Sequence, residues 1–334
     1  MRSSASGGPP RPQVKNMSKY IQITRRKHYL IIFISLVIAW GAFWIYREYQ
    51  VLPQYVMPTM LELELPQAKQ TVLVFAPHCD DETIATGAYI KKSLETGANV
   101  YVVLSTNGDG HYVGTVEEFG KIYPKASNYI QSGYTRQNET KAALSFLGLD
   151  QSHIMFLGYP DQGTKPMLTK YWNKPYKSSF TEDNHSPYNN SYHLNQDYTG
   201  QNMENDIYEI INKFQPDIVV VSSPDDNHPD HAALYEYVRR AIDKTGTKPN
   251  LLTYLVHFDY YPNPSGLKKD EYLSPPLKLI GFDGFWYKLS VNDELENIKE
   301  NALEKYESQL KVPFLRKLMV GFIRKNELFL KINY

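Results

Sequence analysis

A continuous apolar segment, TVLVFA at residues 71–76, runs directly into a polar cluster and constrains the fold more than any other feature of the chain. A strand that is buried on both faces has this composition, whereas a half-buried strand alternates apolar and polar residues. The segment that follows the cluster, ETIATGAYIKKSLETG, has helical spacing and ends at Gly97. We therefore expect a central parallel strand followed by a helix.

The same alternation continues as far as a second polar cluster. The segments 99–106, 153–159 and 217–223 have the composition of buried strands, and amphipathic helical segments lie between them. Strands that alternate with helices predict an α/β fold with a doubly wound, mostly parallel sheet. In such sheets, ligands bind beyond the carboxyl ends of the strands.

Charge balance and missing motifs exclude several classes of function. Lys and Arg together number 36, as do Asp and Glu, so no excess charge favours nucleic acid as a partner. Cys79 is the only cysteine, which excludes an intramolecular disulfide and a multi-cysteine zinc finger. The chain has no P-loop motif and no G-x-G-x-x-G after its first strand, so no nucleotide cofactor is predicted. It also lacks the G-x-S-x-G and H-E-x-x-H motifs of serine hydrolases and zincins.

An uncharged apolar segment at residues 29–46 predicts a transmembrane signal-anchor. As a helix with a rise of about 1.5 Å per residue, it nearly spans a hydrocarbon core of about 30 Å. The basic residues that precede it, with no acidic residue among them, are Arg2, Arg11, Lys15, Lys19, Arg25, Arg26 and Lys27. By the positive-inside rule, the N-terminus is predicted to be cytoplasmic and everything after Arg47 extracytoplasmic. A cleavable signal peptide is the rival interpretation, but the A-x-A cleavage signature is poor.

The chain is thereby divided into four predicted parts. Residues 1–28 are expected to form a disordered basic tail that leads into the anchor, and residues 47–67, which contain three prolines, a stalk. Residues 68–334 are expected to form the catalytic domain. Within this domain, residues 164–201 are rich in Tyr, Asn, Lys and Ser and lack periodicity, which predicts a loop or insertion. Such a segment is either a lid or binding surface, or a decoration of the surface.

Two polar clusters follow predicted strands. The first, PHCDDE, occupies residues 77–82, and the second, PDDNHPDH, occupies residues 224–231. Capping of the next helix would use only one carboxylate of the first cluster. Because both clusters lie at strand ends of one sheet, their side chains are expected to converge. Together they predict a metal site.

Imidazole and carboxylate ligands suit zinc, although another divalent metal is possible. A catalytic zinc site typically has three protein ligands and an open position for water. A metal held in this way lowers the pKa of bound water and polarises a carbonyl group, so the predicted reaction is hydrolysis of an amide or ester. A carboxylate that is not a ligand can serve as the base.

Both clusters resemble signatures of the PIG-L/LmbE-like zinc-dependent de-N-acetylases. PHCDDE is similar to the family's A-H-P-D-D-E sequence, and HPDH at residues 228–231 is similar to its second signature. The likeness extends from about Thr71 to Leu310 and implies a Rossmann-like sheet. It also implies removal of an acetyl group from an N-acetylglucosamine-type sugar in a glycan, glycolipid or glycoside. Cys79 departs from the pattern, because the family usually has proline there.

The resemblance implies a role for each residue of the two clusters. It makes His78, Asp81 and His231 the metal ligands. Asp80 would be the general base. His228, oriented by Asp230, would stabilise the oxyanion and deliver a proton to the leaving amine when protonated.

Two further residues are implied to contact the substrate. The family's R-x-x-E helix is matched by Arg136 and Glu139, and its strand-end aspartate by Asp161. By this resemblance, Arg136 and Asp161 would hold sugar hydroxyls. For Arg136, a surface salt bridge to Glu139 or a neighbour is the alternative. Glu82 is expected to lie behind the ligands or at the start of the helix.

Three functions remain open on these grounds. The first is a membrane-anchored zinc amidohydrolase that acts on an N-acetylated amino sugar. The second is a non-catalytic carbohydrate-binding protein on the same fold, and the third is a metal-dependent hydrolase of another amide or ester. The presence of every implied ligand and of the base favours an enzyme over a binding protein.

Overall fold

A computed structural model describes residue 8, residues 14–280 and residues 284–332, without the side chains of residues 14–24 and 48–53. The chain divides into two compact units, Met1–Leu52 and Pro53–Tyr334. Most of the first half of the predicted disordered tail therefore lies outside the described residues.

The N-terminal unit is dominated by one helix. Helix α1 spans Val14–Val56, and its part Arg25–Arg47 has a mean hydropathy of 2.1. Large apolar side chains of this part are exposed, for example Trp40 at 66%. Its length and composition are those of a membrane span or a signal sequence. The helix extends beyond the predicted span at both ends, because no proline interrupts residues 14–52.

The second unit is built on a mixed sheet of seven strands in the order β3-β2-β1-β4-β5-β7-β6. The strands are β1 (Thr71–Ala76), β2 (Asn99–Thr106), β3 (Ile154–Tyr159), β4 (Ile218–Ser222), β5 (Asn250–Tyr254), β6 (Phe285–Ser290) and β7 (Asn326–Ile332). The first five strands pair in parallel, and β7 runs antiparallel to its neighbours β5 and β6. The prediction of an α/β fold with a mostly parallel sheet is confirmed.

Helices cover both faces of this sheet. They are α2 (Asp81–Glu95), α3 (Tyr112–Phe119), α4 (Ala126–Leu147), α5 (Thr164–Thr169), α6 (Gly200–Phe214), α7 (Pro229–Thr245), α8 (Asp293–Leu303), α9 (Glu307–Leu310) and α10 (Pro313–Met319). Side chains along β1 alternate between two cores: Val72 and Val74 pack in one, Leu73 and Phe75 in the other. Burial of both faces explains why the interior of β1 and of β4 is a continuous apolar run.

The irregular segment at residues 164–201 packs against the edge of the sheet. After α5, residues 170–199 form turns and isolated bridges. Ser191 bridges to Phe156 of β3, and the Tyr192 N–H donates to the Phe156 carbonyl at 2.8 Å. The segment thereby covers backbone groups of an edge strand that would otherwise be unpaired.

The predicted stalk differs from a free linker along its second half. Met57 and Leu63 are buried. The Leu63 N–H donates to the Lys288 carbonyl at 2.7 Å, and the Lys288 N–H donates to the Leu61 carbonyl at 3.0 Å. Strand β6 lies at the other edge of the sheet, and these residues pair with its exposed backbone.

A buried ion pair connects β7 and α8 with α2. Lys299 Nζ lies 2.7 Å from Glu327 Oε1, and both side chains are 2% exposed. The Glu327 carboxylate also accepts hydrogen bonds from the Ala88 and Tyr89 N–H groups of α2, each at 2.8 Å. Helix α2 begins at Asp81, so this contact supports the helix that follows the first polar cluster.

We predict that Lys299→Met lowers the free energy of unfolding by about 3–5 kcal/mol, because Glu327 then stays buried without its partner. Lys91→Met is the matched control. It removes a partly exposed pair with Glu95 and should cost less than about 1 kcal/mol. Guanidinium unfolding of the full-length protein in mild detergent measures both values. Equal effects of the two substitutions would contradict a structural role for the buried pair.

Candidate active site

The two polar clusters meet beyond the carboxyl ends of β1 and β4, which are neighbours in the sheet. His78 Nδ1 lies 3.0 Å from Asp81 Oδ2. The same carboxylate oxygen lies 3.1 Å from His231 Nε2, and the two imidazole nitrogens are 3.3 Å apart. In a tetrahedral zinc site with bonds of about 2.0–2.2 Å, ligand atoms lie about 3.3–3.6 Å apart. The three predicted ligands are therefore brought together at a spacing that suits a metal ion.

Each of the two histidines has a carboxylate against its other ring nitrogen. His78 Nε2 lies 3.2 Å from Asp161 Oδ1, and His231 Nδ1 lies 3.1 Å from Asp226 Oδ2. Metal-binding histidines usually have such a partner, which sets the orientation and tautomer of the ring. Asp161, expected on a sugar hydroxyl, is thus placed against His78.

The buried charges of the site also favour a cation. Five aspartates are buried here: Asp80, Asp81, Asp161, Asp226 and Asp230. Burial disfavours a charged His231, but Asp226 and Asp81 outweigh this effect and raise its pKa to about 9. For His78 too, burial lowers the pKa, and the neighbouring carboxylates, Asp161 foremost, raise it well above the usual value. A divalent ion would balance the negative charge of these carboxylates, which otherwise favours the protonated form of the two histidines.

Asp80 lies beside the predicted ligands in an unusual backbone conformation, with φ 145° and ψ −32°. Residues with a side chain rarely adopt this region, and its cost must be offset by surrounding contacts. The Asp80 N–H donates to Glu82 Oε2 at 3.1 Å, and Asp80 Oδ2 accepts from Arg136 Nη2 at 2.9 Å. Burial raises the pKa of Asp80 to about 7, although the charge of Arg136 acts against it.

Glu82 lies behind Asp80 and away from the triangle of predicted ligands. It is fully buried and accepts hydrogen bonds from the hydroxyl groups of Tyr306 and Thr83. Burial raises the pKa of Glu82 to about 7. Glu82 therefore holds the turn that carries Asp80, which agrees with the expectation that it is not a ligand.

Arg136 is buried and braces two turns of the site. Its guanidinium donates to the carbonyl groups of Gly108 and Cys79, each at 2.8 Å, besides Asp80. A Cβ at Gly108 would lie 1.7 Å from Arg136 Nη1, so this position requires glycine. The alternative of a surface salt bridge to Glu139 or a neighbour is wrong, because Arg136 is only 4% exposed and its ion pair is with the buried Asp80. Glu139 instead accepts two hydrogen bonds from Ser308, both at 2.7 Å.

The Cys79 thiol faces the core. Its Sγ lies 3.8 Å from the Thr106 carbonyl oxygen, and the side chain is fully buried among apolar residues. Burial raises the pKa of the thiol well above its usual range. The residue that departs from the family signature is thus an inert part of the core.

His228 and Asp230 are arranged differently from the expectation. His228 caps α7, and its Nδ1 accepts from the Asp230 N–H at 3.3 Å, so Nε2 carries the ring proton. The Asp230 carboxylate accepts from the Gln162 N–H at 2.6 Å and from Thr164, and lies 3.5 Å from His78 Nε2. The backbone N–H of Asp230 therefore orients His228, whereas the Asp230 carboxylate holds the turn after β3. Burial, followed by the neighbouring histidines, lowers the pKa of His228 to about 4.

Three residues of the site were not assigned a role from the sequence. Asp226 contacts His231 and also accepts from the Val256 and His257 N–H groups, each at 3.0 Å. The centroid of the His257 ring lies 4.8 Å from that of the His231 ring. His257 follows β5, and a histidine shortly after a third strand is a signal that the sequence contained. His111 lines the same cavity as the predicted ligands. Its Nδ1 accepts from the Gly114 N–H at 3.0 Å and caps α3.

A cavity of about 190 Å³ opens over these residues. Predicted site residues that line it are His78, Asp80, Asp81, Arg136, Asp161 and His228. His231 is fully buried and contacts His78, which lines the cavity. One cavity thus gives access to a candidate metal centre, a carboxylate and a histidine N–H.

Comparison with known proteins agrees with this geometry. Residues 73–242, 170 of the 334 in the chain, match the family described as PIG-L, GlcNAc-PI de-N-acetylase. The chain is 29% identical over 177 residues to 1D-myo-inositol 2-acetamido-2-deoxy-alpha-D-glucopyranoside deacetylase of Mycobacterium sp. (strain KMS), covering 50% of this chain and 48% of the relative. It is 27% identical over 184 residues to the corresponding deacetylase of Rhodococcus opacus (strain B4), covering 54% and 56%. The chain therefore spans about half the length of the curated relatives it matches.

A solved structure is similar in fold. The zinc-inhibited form of teicoplanin deacetylase superposes with a TM-score of 0.51 and 17% sequence identity, over 78% of this chain and 97% of that chain. At this identity, the similarity concerns the fold alone.

We predict that Asp226→Asn weakens zinc binding about 10-fold to 100-fold, because His231 loses the carboxylate that orients it. Asp225→Asn, at the exposed neighbouring residue, is the matched control and should leave the affinity unchanged. Competition with a chromophoric chelator measures both affinities on the full-length protein.

Substitution of His78, Asp81 or His231 by Ala should abolish stoichiometric zinc. Unchanged zinc content in those three variants would exclude the site.

Proposed function

Because the chain belongs to the PIG-L family of GlcNAc-PI de-N-acetylases, we propose that it is a metal-dependent hydrolase that removes the acetyl group from an N-acetylglucosamine-type sugar. The observation that carries this proposal is the triangle of His78, Asp81 and His231 with Asp80 beside it. The names of the curated relatives, which are deacetylases of an N-acetylated glucosamine joined to inositol, support the substrate class. The order β3-β2-β1-β4-β5 supports a Rossmann-like, doubly wound sheet.

We propose zinc as the ion that His78, Asp81 and His231 hold. The donor set is one that zinc prefers, and both histidines have the carboxylate partners typical of ligands. When bound, zinc would act as a Lewis acid that lowers the pKa of water and polarises an amide carbonyl.

Asp80 is proposed as the general base. Arg136 holds one oxygen of its carboxylate, and Asp80 lines the cavity in which the acetamido group would lie. The carboxylate takes a proton from the attacking water as the new C–O bond forms. The proton then passes to the nitrogen as the C–N bond breaks, which releases acetate and a free amine.

His228 is proposed to stabilise the negative charge that develops on the acetyl oxygen. Its Nδ1 is occupied by the Asp230 N–H, so the Nε2–H is the donor that it can offer to substrate. Arg136 and Asp161 both line the cavity and are proposed to contact sugar hydroxyls in addition to bracing Asp80 and His78.

We predict that Asp80→Asn keeps zinc but lowers turnover about 10²-fold to 10⁴-fold, the usual contribution of a positioned base. The full-length protein is assayed for acetate release from a panel of N-acetylated sugars, with and without chelator, and Asp225→Asn is the control. Near-normal turnover of Asp80→Asn would reassign the base. Sugar binding without acetate release in the parent protein would favour the carbohydrate-binding alternative, and turnover of other amides or esters alone would favour the broader hydrolase.

The proposed location is a single-pass membrane protein with a cytoplasmic N-terminus and an extracytoplasmic catalytic unit. The apolar part of α1, Arg25–Arg47, is long enough to span the membrane, and the chain before its apolar residues is basic. Residues 29–46 would thus connect the enzyme to the membrane.

We predict that protease added to intact cells or spheroplasts digests the unit after Arg47 while cytoplasmic control proteins survive. The reason is that basic flanking charge keeps the N-terminus inside. Immunoblotting of the catalytic unit measures the outcome. Protection of this unit until the membrane is lysed would reverse the topology and favour intracellular substrates.

A further inference from the structure

One side of the active-site cavity is apolar. Helix α10 contributes Phe314, Leu315 and Leu318 to the lining, with the buried Met319 at its end. Leu318 lies four residues after Phe314 and three after Leu315, so it is the neighbour of both on one face of the helix. The turns that follow the strands contribute the charged residues of the candidate metal centre to the same lining. The cavity thus has two chemically distinct sides.

The apolar side is open to the cavity. Phe314 is 57% exposed, and Leu315 and Leu318 are half-buried. The helix ends are anchored instead by Val312 and Met319, each 1% exposed. The three lining side chains are therefore held at the surface of the cavity by a helix that is itself fixed.

Contacts before α10 attach this region to the helices that carry the site. The Tyr306 hydroxyl donates to Glu82 of α2, two residues from Asp80. Ser308 donates to Glu139 of α4, one turn after Arg136. The apolar side is therefore preformed at a set position relative to the candidate catalytic groups.

The chemistry of these side chains selects what can lie against them. Phe and Leu offer no hydrogen-bonding atom, so a second sugar or an inositol would lose hydrogen bonds to water without replacement. The His111 ring lies 6.1 Å from that of Phe314, and its Nδ1 already accepts from the Gly114 N–H. Gln309 also lines the cavity, but this residue is 2% exposed and its Nε2 donates to Ser308 Oγ. An apolar group, in contrast, would be removed from water on both surfaces.

We propose that the group attached to the N-acetylated sugar is apolar, either a hydrocarbon chain or an aromatic ring, and that it packs on Phe314, Leu315 and Leu318. The acetamido group of the same molecule then faces the metal ligands and Asp80. This inference rests on the proposed deacetylase function and specifies its substrate class.

The test compares methyl, hexyl and phenyl glycosides of N-acetylglucosamine as substrates of the full-length protein in lipid nanodiscs. We expect kcat/KM for the hexyl or the phenyl glycoside to exceed that for the methyl glycoside about 10-fold or more, as burial of one apolar side chain implies. A preference for hexyl identifies a hydrocarbon chain, and a preference for phenyl identifies an aromatic ring.

Substitutions then locate the preference. Phe314→Ala and Leu318→Asn should each lower the ratio of kcat/KM between the preferred and the methyl glycoside about 10-fold. Phe146→Ala and Leu277→Asn remove exposed side chains that do not line the cavity and should leave the ratio unchanged. If Phe314→Ala does not fold, Leu318→Asn supplies the same comparison.

Two failures are distinguishable. Equal kcat/KM for all three glycosides, or a ratio that neither cavity substitution alters, overturns the apolar substrate and leaves the deacetylase proposal standing. Zinc-loaded protein that releases no acetate from any of the three glycosides overturns the deacetylase proposal and this inference with it.

Discussion

Parallel pairing between β1 and β4 is the interaction on which the candidate site depends. It places two chain turns side by side, so that His78 and His231, 153 residues apart in the chain, bring their ring nitrogens within 3.3 Å. Burial of both sheet faces requires the apolar strands, and the same burial leaves the strand ends as the place where charged residues can meet a cavity. The fold therefore determines where the polar residues lie, and the turns after each strand determine which of them face inward.

Around this junction, each reactive group is held by a residue from a different part of the chain. Asp80 keeps a backbone conformation that costs on the order of 1–3 kcal/mol, and buried hydrogen bonds from Arg136 and to Glu82 offset it. Burial excludes water from these contacts and makes each one stronger, while an unpaired group would be correspondingly costly. Strain at Asp80 is thus maintained by the surrounding helices, and its carboxylate stays directed at the cavity.

The sequence predicted four of the five parallel strands and the convergence of the two polar clusters, because apolar runs and polar clusters are local signals. The assignment of His78, Asp81 and His231 as metal ligands, which the family resemblance implied, stays a prediction. The sequence did not separate Asp226 from Asp225, since only the path of the turn decides which carboxylate reaches His231. It did not predict that Asp161 lies against His78, because this contact joins segments far apart in the chain. It also did not identify β5, β6 or β7, or the contribution of α10 to the cavity. Those segments carry no polar cluster, and their positions follow from packing with the rest of the sheet.

The two acids behind the candidate catalytic groups, Glu82 and Glu139, also position the apolar side of the cavity. Glu82 supports Asp80 and binds Tyr306, and Glu139, on the helix of Arg136, binds Ser308. Neither acid is itself in the triangle of predicted ligands. The region after α8 is therefore attached to the site through residues behind it, while its own cavity-facing residues are separate side chains on α10. Residues on that helix can change the shape and polarity of the cavity without altering any predicted ligand. In the proposed enzyme, different parts of the fold would therefore determine substrate choice and hydrolysis.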